Sequence, residues 1–420
     1  MPRRQGYALL IALVAGTAAL AAAVAFGTSL IPEDRTVPGT GPETHAAVRN
    51  QAAPANSTGT WTATWTGAPV SAEPDSPHGY PGRTIRNIVH TSIGGDAARI
   101  TLSNLFGAVP LVVDQATVNT RRVTFRGLPT VTVAAGRQVV SDPVVVPVSP
   151  DADLVVTLRT PYAAGAVTQH PNTHQTSYLA DDHGTWSTTR WRYLTAVDVH
   201  NSTSTGAIVV IGDSLTAGSG STTDADARWS DVLSDRLRHR FGVANQGIAG
   251  NRVLLDSPLS AGGVKSLGGP SATHRFERDV LSVAGAKTVV IALGINDVQQ
   301  APQEADPRRI TAGLRALAER AHDRGLRVVG ATLTPFQGYG TWTPERNAVR
   351  LAVNEEIRSG RVFDAVVDFD RAVRDPYAPN RILPEYDSGD HLHFNDTGYR
   401  TLGHAVTLDE VDGTPKSDAF

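Results

Sequence analysis

The run Ile208-Val209-Val210-Ile211 leads directly into Gly212-Asp213-Ser214. Four consecutive branched apolar residues describe a short strand buried on both faces, which a parallel sheet requires and a half-solvated antiparallel sheet does not. Gly212 permits a sharp turn, and the next amphipathic pattern predicts a helix from about Ala225 to Arg240. A serine at the C-terminal tip of such a strand faces the crevice where open α/β sheets bind ligands. Taken alone, Gly-Asp-Ser is more simply explained by a turn serine capping a helix. The remainder of the chain decides between these readings.

After about Ser204 the texture alternates between strands and helices. Strands are predicted at Ile208–Ile211, Val243–Gln246, Thr288–Leu293, Arg327–Leu333 and Ala365–Phe369. Between the third and fourth of these, Ile310, Leu314, Leu317 and Ala321 fall on one helical stripe. Such alternation implies right-handed crossovers and a five-stranded parallel sheet with helices on both faces. From Trp61 to about Val199 the pattern is different: short β-branched segments broken by Gly94-Gly95, Gly107, Gly136 and Asp151. This stretch reads as an all-β domain, most simply a two-sheet sandwich. Trp61, Ala63 and Trp65 are expected to share one face of its first strand.

A chain of 420 residues exceeds what one core normally serves. The expected division is a β-domain over 59–203, an α/β domain over 204–408 and a C-terminal tail over 409–420. Residues 1–31 read as a signal peptide, with Arg3 and Arg4 before an apolar stretch from Tyr7 to Phe26 and Ala23-Val24-Ala25 as a cleavage pattern. The stretch is also long enough for an uncleaved signal anchor. Either way the body of the protein is expected outside the cytoplasm, secreted or membrane-anchored, with contact to a membrane only through that anchor. Residues 32–58 are poor in apolar surface and read as a disordered linker. The chain contains no cysteine, which excludes disulfides, thiol nucleophiles and cysteine metal sites. A net charge of −3, without basic runs beyond the N-terminus, argues against nucleic acid as a partner.

Three further groups follow predicted strands on the edge of the sheet that bears Ser214. Gly247-Ile248-Ala249-Gly250-Asn251-Arg252 follows the second strand, and its glycines let a backbone N–H approach a reacting atom. Gly294-Ile295-Asn296-Asp297 follows the third, where the Asn296 amide suits an oxyanion hole as well as an ordinary turn. Asp390-His391-Leu392-His393 precedes the last helix, which is expected to start near Asn395. Acid and imidazole three residues apart can meet on one turn, so that the carboxylate sets the tautomer of a ring accepting the serine proton. His-x-His beside an Asp can instead ligate zinc, but no further His, Glu or Cys cluster completes a coordination shell. His274 and His322 are expected on helix surfaces. Gly218-Ser219-Gly220-Ser221-Thr222 lacks the lysine of a P-loop, and no cofactor is implied.

In order, Ser214 in Gly-Asp-Ser-Leu, Gly250 in Ile-Ala-Gly-Asn, Asn296 in Gly-Ile-Asn-Asp and His393 with Asp390 resemble the four blocks of the SGNH hydrolases, the GDSL esterase/lipase family. Ser92-Ile93-Gly94-Gly95 and Leu102-Ser103-Asn104-Leu105-Phe106-Gly107 resemble the N-terminal, jelly-roll-like β-sandwich of a secreted subgroup. Phe394 stands where the family usually has proline. The resemblance implies a flavodoxin-like three-layer α/β/α domain and a serine esterase. Ser214 would be the nucleophile, His393 the base oriented by Asp390, and Ser214, Gly250 and Asn296 the oxyanion hole. The implied substrate is a carboxylic ester with a short acyl or acetyl group, small or polymer-bound, including ester groups on carbohydrate. A lipase or lysophospholipase of the same family, and a carbohydrate-binding protein with a residual hydrolase domain, are the competing readings. The loop Thr334–Trp342 follows the fourth strand. Its aromatics Phe336, Tyr339 and Trp342 are expected either to wall the substrate, opposite the loop Leu254–Ser271, or to pack on the scaffold.

Overall fold

Strand β1 (Gly206–Gly212) is buried along its whole length and lies at the heart of the second half of the chain. Its side chains alternate between two cores: Ala207, Val209 and Ile211 enter one, Ile208 and Val210 the other. The first core is completed by helices α3 (Ala272–Phe276), α5 (Pro307–His322) and α6 (Pro344–Arg358), the second by α2 (Trp229–Leu237), α7 (Phe369–Val373) and α8 (Asp396–Ala405). The remaining strands are β2 (Phe241–Gly247), β3 (Ala286–Ala292), β4 (Arg327–Ala331) and β5 (Ala365–Val367). All pair in parallel, in the order β2-β1-β3-β4-β5. This is the three-layer, flavodoxin-like arrangement, whose strand order reverses beside β1 and opens a crevice at the strand C-termini.

The protein is represented by a computed structural model that describes residues 59–74, 76–257 and 268–413. The expected signal segment and linker lie outside the described residues, as do 258–267 of the loop opposite the aromatics and the end of the C-terminal tail. Among the described residues no helix is long and apolar enough to cross a membrane. The tail region begins with a helix, α9 (Leu408–Asp412), whose Val411 is buried in the second core.

The segment before β1 is all-β and antiparallel. Its two larger sheets contain the strands Thr60–Thr66, Leu194–Asn201, Gly95–Ser103 and Val144–Val148 in one, and Ser177–Asp181, Arg83–Thr91 and Ala152–Thr160 in the other. Inward residues of both, such as Ile100, Val197, Val89 and Val156, share one core.

Two sequence expectations need correction. A β-bulge between Ala63 and Trp65 breaks the period of two, so the three residues do not share a face. Trp65 meets Trp191 edge-on in the β-core at 4.7 Å, and Ala63 belongs to the α/β core. Trp61 lies partly exposed, its ring 4.8 Å from the Arg99 guanidinium. The helix expected from Ala225 to Arg240 is shorter at both ends. Asp224 and Asp226 before it, and Arg238 and His239 after it, adopt positive φ and stop the helical hydrogen-bond pattern.

The bulged strand explains how the β-region meets the sheet. Strand β2 is an edge strand, a row of unpaired backbone groups that invites association unless covered. Thr66 Oγ1 donates to the Asn245 carbonyl at 3.1 Å, and the Val243 N–H donates to Ser92 Oγ at 2.9 Å. Ser92 Oγ in turn donates to the Thr64 carbonyl at 2.6 Å. Gly242 is needed here because a Cβ at that position would collide with the Ala63 carbonyl. The Ala63 N–H itself donates to Ala284 O at 3.0 Å.

Ser92→Ala removes the acceptor of a buried backbone N–H while leaving apolar packing nearly unchanged. Such a loss costs about 1–3 kcal/mol. Urea unfolding is expected to show a free energy of unfolding lowered by that amount. A change of a few tenths of a kcal/mol would mean that this contact does not hold the edge strand.

Candidate active site

The tip of β1 turns directly into α1 (Ser214–Ala217), placing Ser214 in the first turn of the helix with only 7% of its surface exposed. Asp213 is the N-cap: its carboxylate accepts from the Leu215 N–H at 2.9 Å, and its carbonyl accepts from Ala217 N–H at 2.8 Å. Burial, the largest influence, pushes the Asp213 carboxyl up to about 7, the neighbouring Asp297 adding in the same direction.

His393 arrives from the turn before α8. Its Nε2 lies 2.9 Å from Ser214 Oγ, and its Nδ1 lies 2.5 Å from Asp390 Oδ2. Asp390 Oδ1 also accepts from the N–H groups of Leu392, at 3.0 Å, and His393, at 2.8 Å. Burial opposes ionisation of Asp390, but these hydrogen bonds and the His393 ring outweigh it and hold its carboxyl below the usual range. The carboxylate thus fixes both the backbone of the turn and the ring. Asn395 caps α8 through the Gly398 N–H at 3.0 Å, so helix and histidine turn are positioned together. Phe394, in place of the family's proline, is fully buried and packs edge-on against Tyr399 at 5.7 Å. The turn is therefore anchored by an apolar ring. His391 points elsewhere: its Nδ1 lies 2.6 Å from Asp387 Oδ2, so the two histidines of Asp-His-Leu-His serve separate carboxylates.

Gly250 follows β2 with φ +77, a left-handed conformation suited to glycine. Asn296, only 3% exposed, lies in α4 (Ile295–Gln299), immediately after β3. Its Nδ2 donates to the Asn251 carbonyl at 3.1 Å, tying the third-strand loop to the second. Asp297 strengthens that tie by accepting from the N–H groups of Val253 and Leu254 at 2.8 and 3.0 Å. Burial raises the Asp297 carboxyl, and the two backbone bonds and Arg252 oppose the rise.

Of the three aromatics expected to wall the substrate, Phe336 is fully buried in the α/β core and belongs to the scaffold. Its strand is also two residues shorter than expected, since β4 ends at Ala331. Tyr339 reaches the site, edge-on to His393 at 6.4 Å. Trp342 is partly buried against the same core as Phe336. His274 and His322 are exposed on their helices, paired with Asp256 and Asp364.

Several supporting residues escaped the sequence reading. Asn251 and Asp297 lie inside recognised blocks, so adjacency could have flagged them. Arg275, which donates to the carbonyls of Gly212 and Gln246, has no local signal. Neither do Ala68 and Val70 of the β-region, which pack on Ile248 beneath the Gly250 loop.

Serine, imidazole and carboxylate joined in line by hydrogen bonds are an arrangement able to support nucleophilic acyl transfer. Residues 210–401 match the family model of the GDSL-like lipase/acylhydrolases, and this part of the chain is a domain of that family. No curated protein matches the chain. Among solved structures, it is similar to the aryl esterase of M. smegmatis, 20% identical over 47% of this chain and 95% of that one, with a TM-score of 0.37. It is similar to a carbohydrate acetylesterase from Sinorhizobium meliloti, 18% identical over 47% and 95% of the two chains, TM-score 0.36. A GDSL-like lipase from Bacteroides thetaiotaomicron VPI-5482 is 16% identical over 50% and 89%, TM-score 0.37.

The elevated Asp213 carboxyl makes stability depend on pH. An unfolded aspartate titrates near 4, so between about pH 4 and 7 the folded state holds a proton that the unfolded state has released. Stability therefore falls as pH rises through that window. Asp213→Asn keeps an oxygen acceptor for Leu215 but carries no titrating proton. Urea midpoints of the two proteins are expected to diverge, the wild type losing ground from about pH 4 to about pH 7. A constant difference across the window would show that Asp213 ionises normally.

Proposed function

We infer that the protein is a secreted serine esterase that cleaves carboxylic esters through an acyl-enzyme on Ser214. The observation that carries this reading is the 2.9 Å contact between Ser214 Oγ and His393 Nε2, backed by Asp390 on the opposite ring nitrogen. In the first step His393 takes the hydroxyl proton as Ser214 Oγ attacks the ester carbonyl carbon. The carbonyl oxygen becomes an oxyanion, received by the N–H groups of Ser214 and Gly250 and the Asn296 amide. Each such donor contributes roughly 3 to 4 kcal/mol to transition-state stabilisation. The imidazolium, steadied by the Asp390 carboxylate, then protonates the departing alkoxide. Water, deprotonated by the same ring, attacks the acyl-enzyme and returns Ser214 to its starting state.

Export is supported by the basic and apolar order of residues 1–31. An ester of a short acyl or acetyl group, borne on carbohydrate or another polymer, suits an exported enzyme.

Ser214→Ala is expected to abolish hydrolysis and labelling by a fluorophosphonate probe without lowering the melting temperature by more than a degree or two. Labelling of the variant at the wild-type level would refute the nucleophile. On a panel of acetyl, butyryl and long-chain esters beside acetylated glycans, the highest kcat/KM is expected for the acetyl compounds. Preference for long-chain glycerides or lysophospholipids would instead make the protein a lipase of the same family.

A further inference from the structure

Asn296 can stabilise an oxyanion only if its amide presents nitrogen, and not oxygen, to the crevice. The two ends of this amide are sorted by neighbours outside the recognised blocks. Asn296 Oδ1 accepts from Gln299 Nε2 at 2.9 Å and from Gln300 Nε2 at 2.8 Å. Both of its lone-pair positions are therefore taken. One Nδ2 hydrogen goes to the Asn251 carbonyl at 3.1 Å, leaving one hydrogen unassigned among the described residues. A flipped amide would set two NH2 groups against a third and two carbonyl oxygens against each other, so the flip is strongly disfavoured.

Each glutamine has a second attachment. Gln300 Nε2 also donates to the Gly250 carbonyl at 3.1 Å, joining both non-nucleophile members of the oxyanion hole through one side-chain nitrogen. Gln299 is 5% exposed, and its Oε1 accepts from Thr341 Oγ1 at 2.9 Å. Thr341 lies two residues after Tyr339, the ring that stands edge-on to His393. A continuous chain of hydrogen bonds thus runs from the loop beside the catalytic base to the oxyanion donor: Thr341 to Gln299 to Asn296, then Gln300 to Gly250.

We propose that Gln299 and Gln300 are positioning residues of the oxyanion hole, and that Thr341 couples the loop bearing Tyr339 and Trp342 to it. The inference rests on the serine-esterase reading, since only a developing negative charge makes the orientation of Asn296 matter. Neither glutamine touches the reacting atoms. Their effect falls on the transition state, where a misplacement of about 1 Å can cost about 100-fold in rate.

The test uses the full-length enzyme and the best acetyl ester. Gln299→Leu and Gln300→Leu are each expected to lower kcat about tenfold with KM within twofold. Thr341→Val, which removes a hydroxyl at nearly constant shape, is expected to lower kcat about threefold. Inhibition by a small alkyl boronic acid, whose tetrahedral Ser214 adduct mimics the intermediate, is expected to weaken by the same factors. Binding of the carboxylate product, which carries no developing oxyanion, is expected to stay constant. In Gln300→Glu an ionised side chain cannot donate to Asn296 or Gly250, and a protonated one can donate once. The ratio of variant to wild-type kcat is therefore expected to climb as the pH is lowered. Wild-type kcat in both leucine variants would overturn the relay, as would a lowered kcat with unchanged boronate affinity. Ser214→Ala run in the same assay separates the two levels. If it loses hydrolysis while the leucine variants keep it, the relay alone fails; if it retains hydrolysis, the esterase reading fails and the relay with it.

Discussion

One buried guanidinium underlies the arrangement of the site. Arg275 has no exposed side-chain surface, and every nitrogen of its fork donates. Nη2 reaches the Gly212 carbonyl at 3.1 Å, Nη1 the Gln246 carbonyl at 2.7 Å and Asp279 at 3.1 Å, and Nε the Asn251 side chain at 3.0 Å. Gly212 ends β1 one residue before Asp213 and Ser214, and Gln246 nearly ends β2 before the Gly250 loop. The Gly212 carbonyl also accepts from the Ile248 N–H at 3.1 Å, so Arg275 adds a second donor there and ties the two strand tips together. A planar five-donor fork can serve both tips at once, which a lysine cannot. Burial pushes the Arg275 pKa down to about 10, Asp279 opposing it, so the charge persists at neutral pH. Removing one side of such a buried pair typically costs about 3–5 kcal/mol.

With both tips held from below, the crevice side can be built from short loops. Ser214 comes from the first strand, Gly250 from the second and Asn296 from the third, and each sits within a few residues of its strand end. His393 is supplied from the far end of the chain by a turn that Asp390 organises through two backbone N–H groups. The loops need little internal stability because Asp297, Asn251 and Gln300 cross-link them. Side chains of Asn296 and Asp297, adjacent in sequence, bind the Gly250 loop at Asn251, Val253 and Leu254.

The β-region belongs to the same mechanical unit. It covers the β2 edge through Ser92 and Thr66, lends Ala63 to the α/β core and props Ile248 with Ala68 and Val70. Farther along, Thr176 accepts no role in chemistry but binds Asp224 through both its N–H and its hydroxyl, and the Asp224 N–H donates to His174 O at 3.0 Å. Burial and the Arg228 charge press the His174 pKa down, and the Ser221 backbone opposes them. Support of this kind makes the region part of the active-site scaffold, whatever else its surface binds.

The sequence by itself determined the parallel sheet and which residues stand at its strand tips. Local reasons suffice there: a run of branched apolar residues is legible as a doubly buried strand, Ser214, Gly250 and Asn296 lie beside such runs, and Asp390 and His393 lie just before a legible helix start. Tertiary structure alone decided which neighbours do the holding. Arg275, on a short helix, and Gln300, just past the end of α4, resemble any other polar residue until distant loops and strands bring carbonyls to them. The bulge that turns Ala63 toward one core and Trp65 toward another has no marker in an alternating strand pattern. Phe336 and Tyr339, three residues apart in one loop, differ in fate: Phe336 lies wholly inside the core, whereas Tyr339 packs only partly against it and reaches His393. Composition and periodicity report how much apolar surface a segment must bury. Which partner buries it, and which donor meets which acceptor, is a property of contacts between parts of the chain that no local window contains.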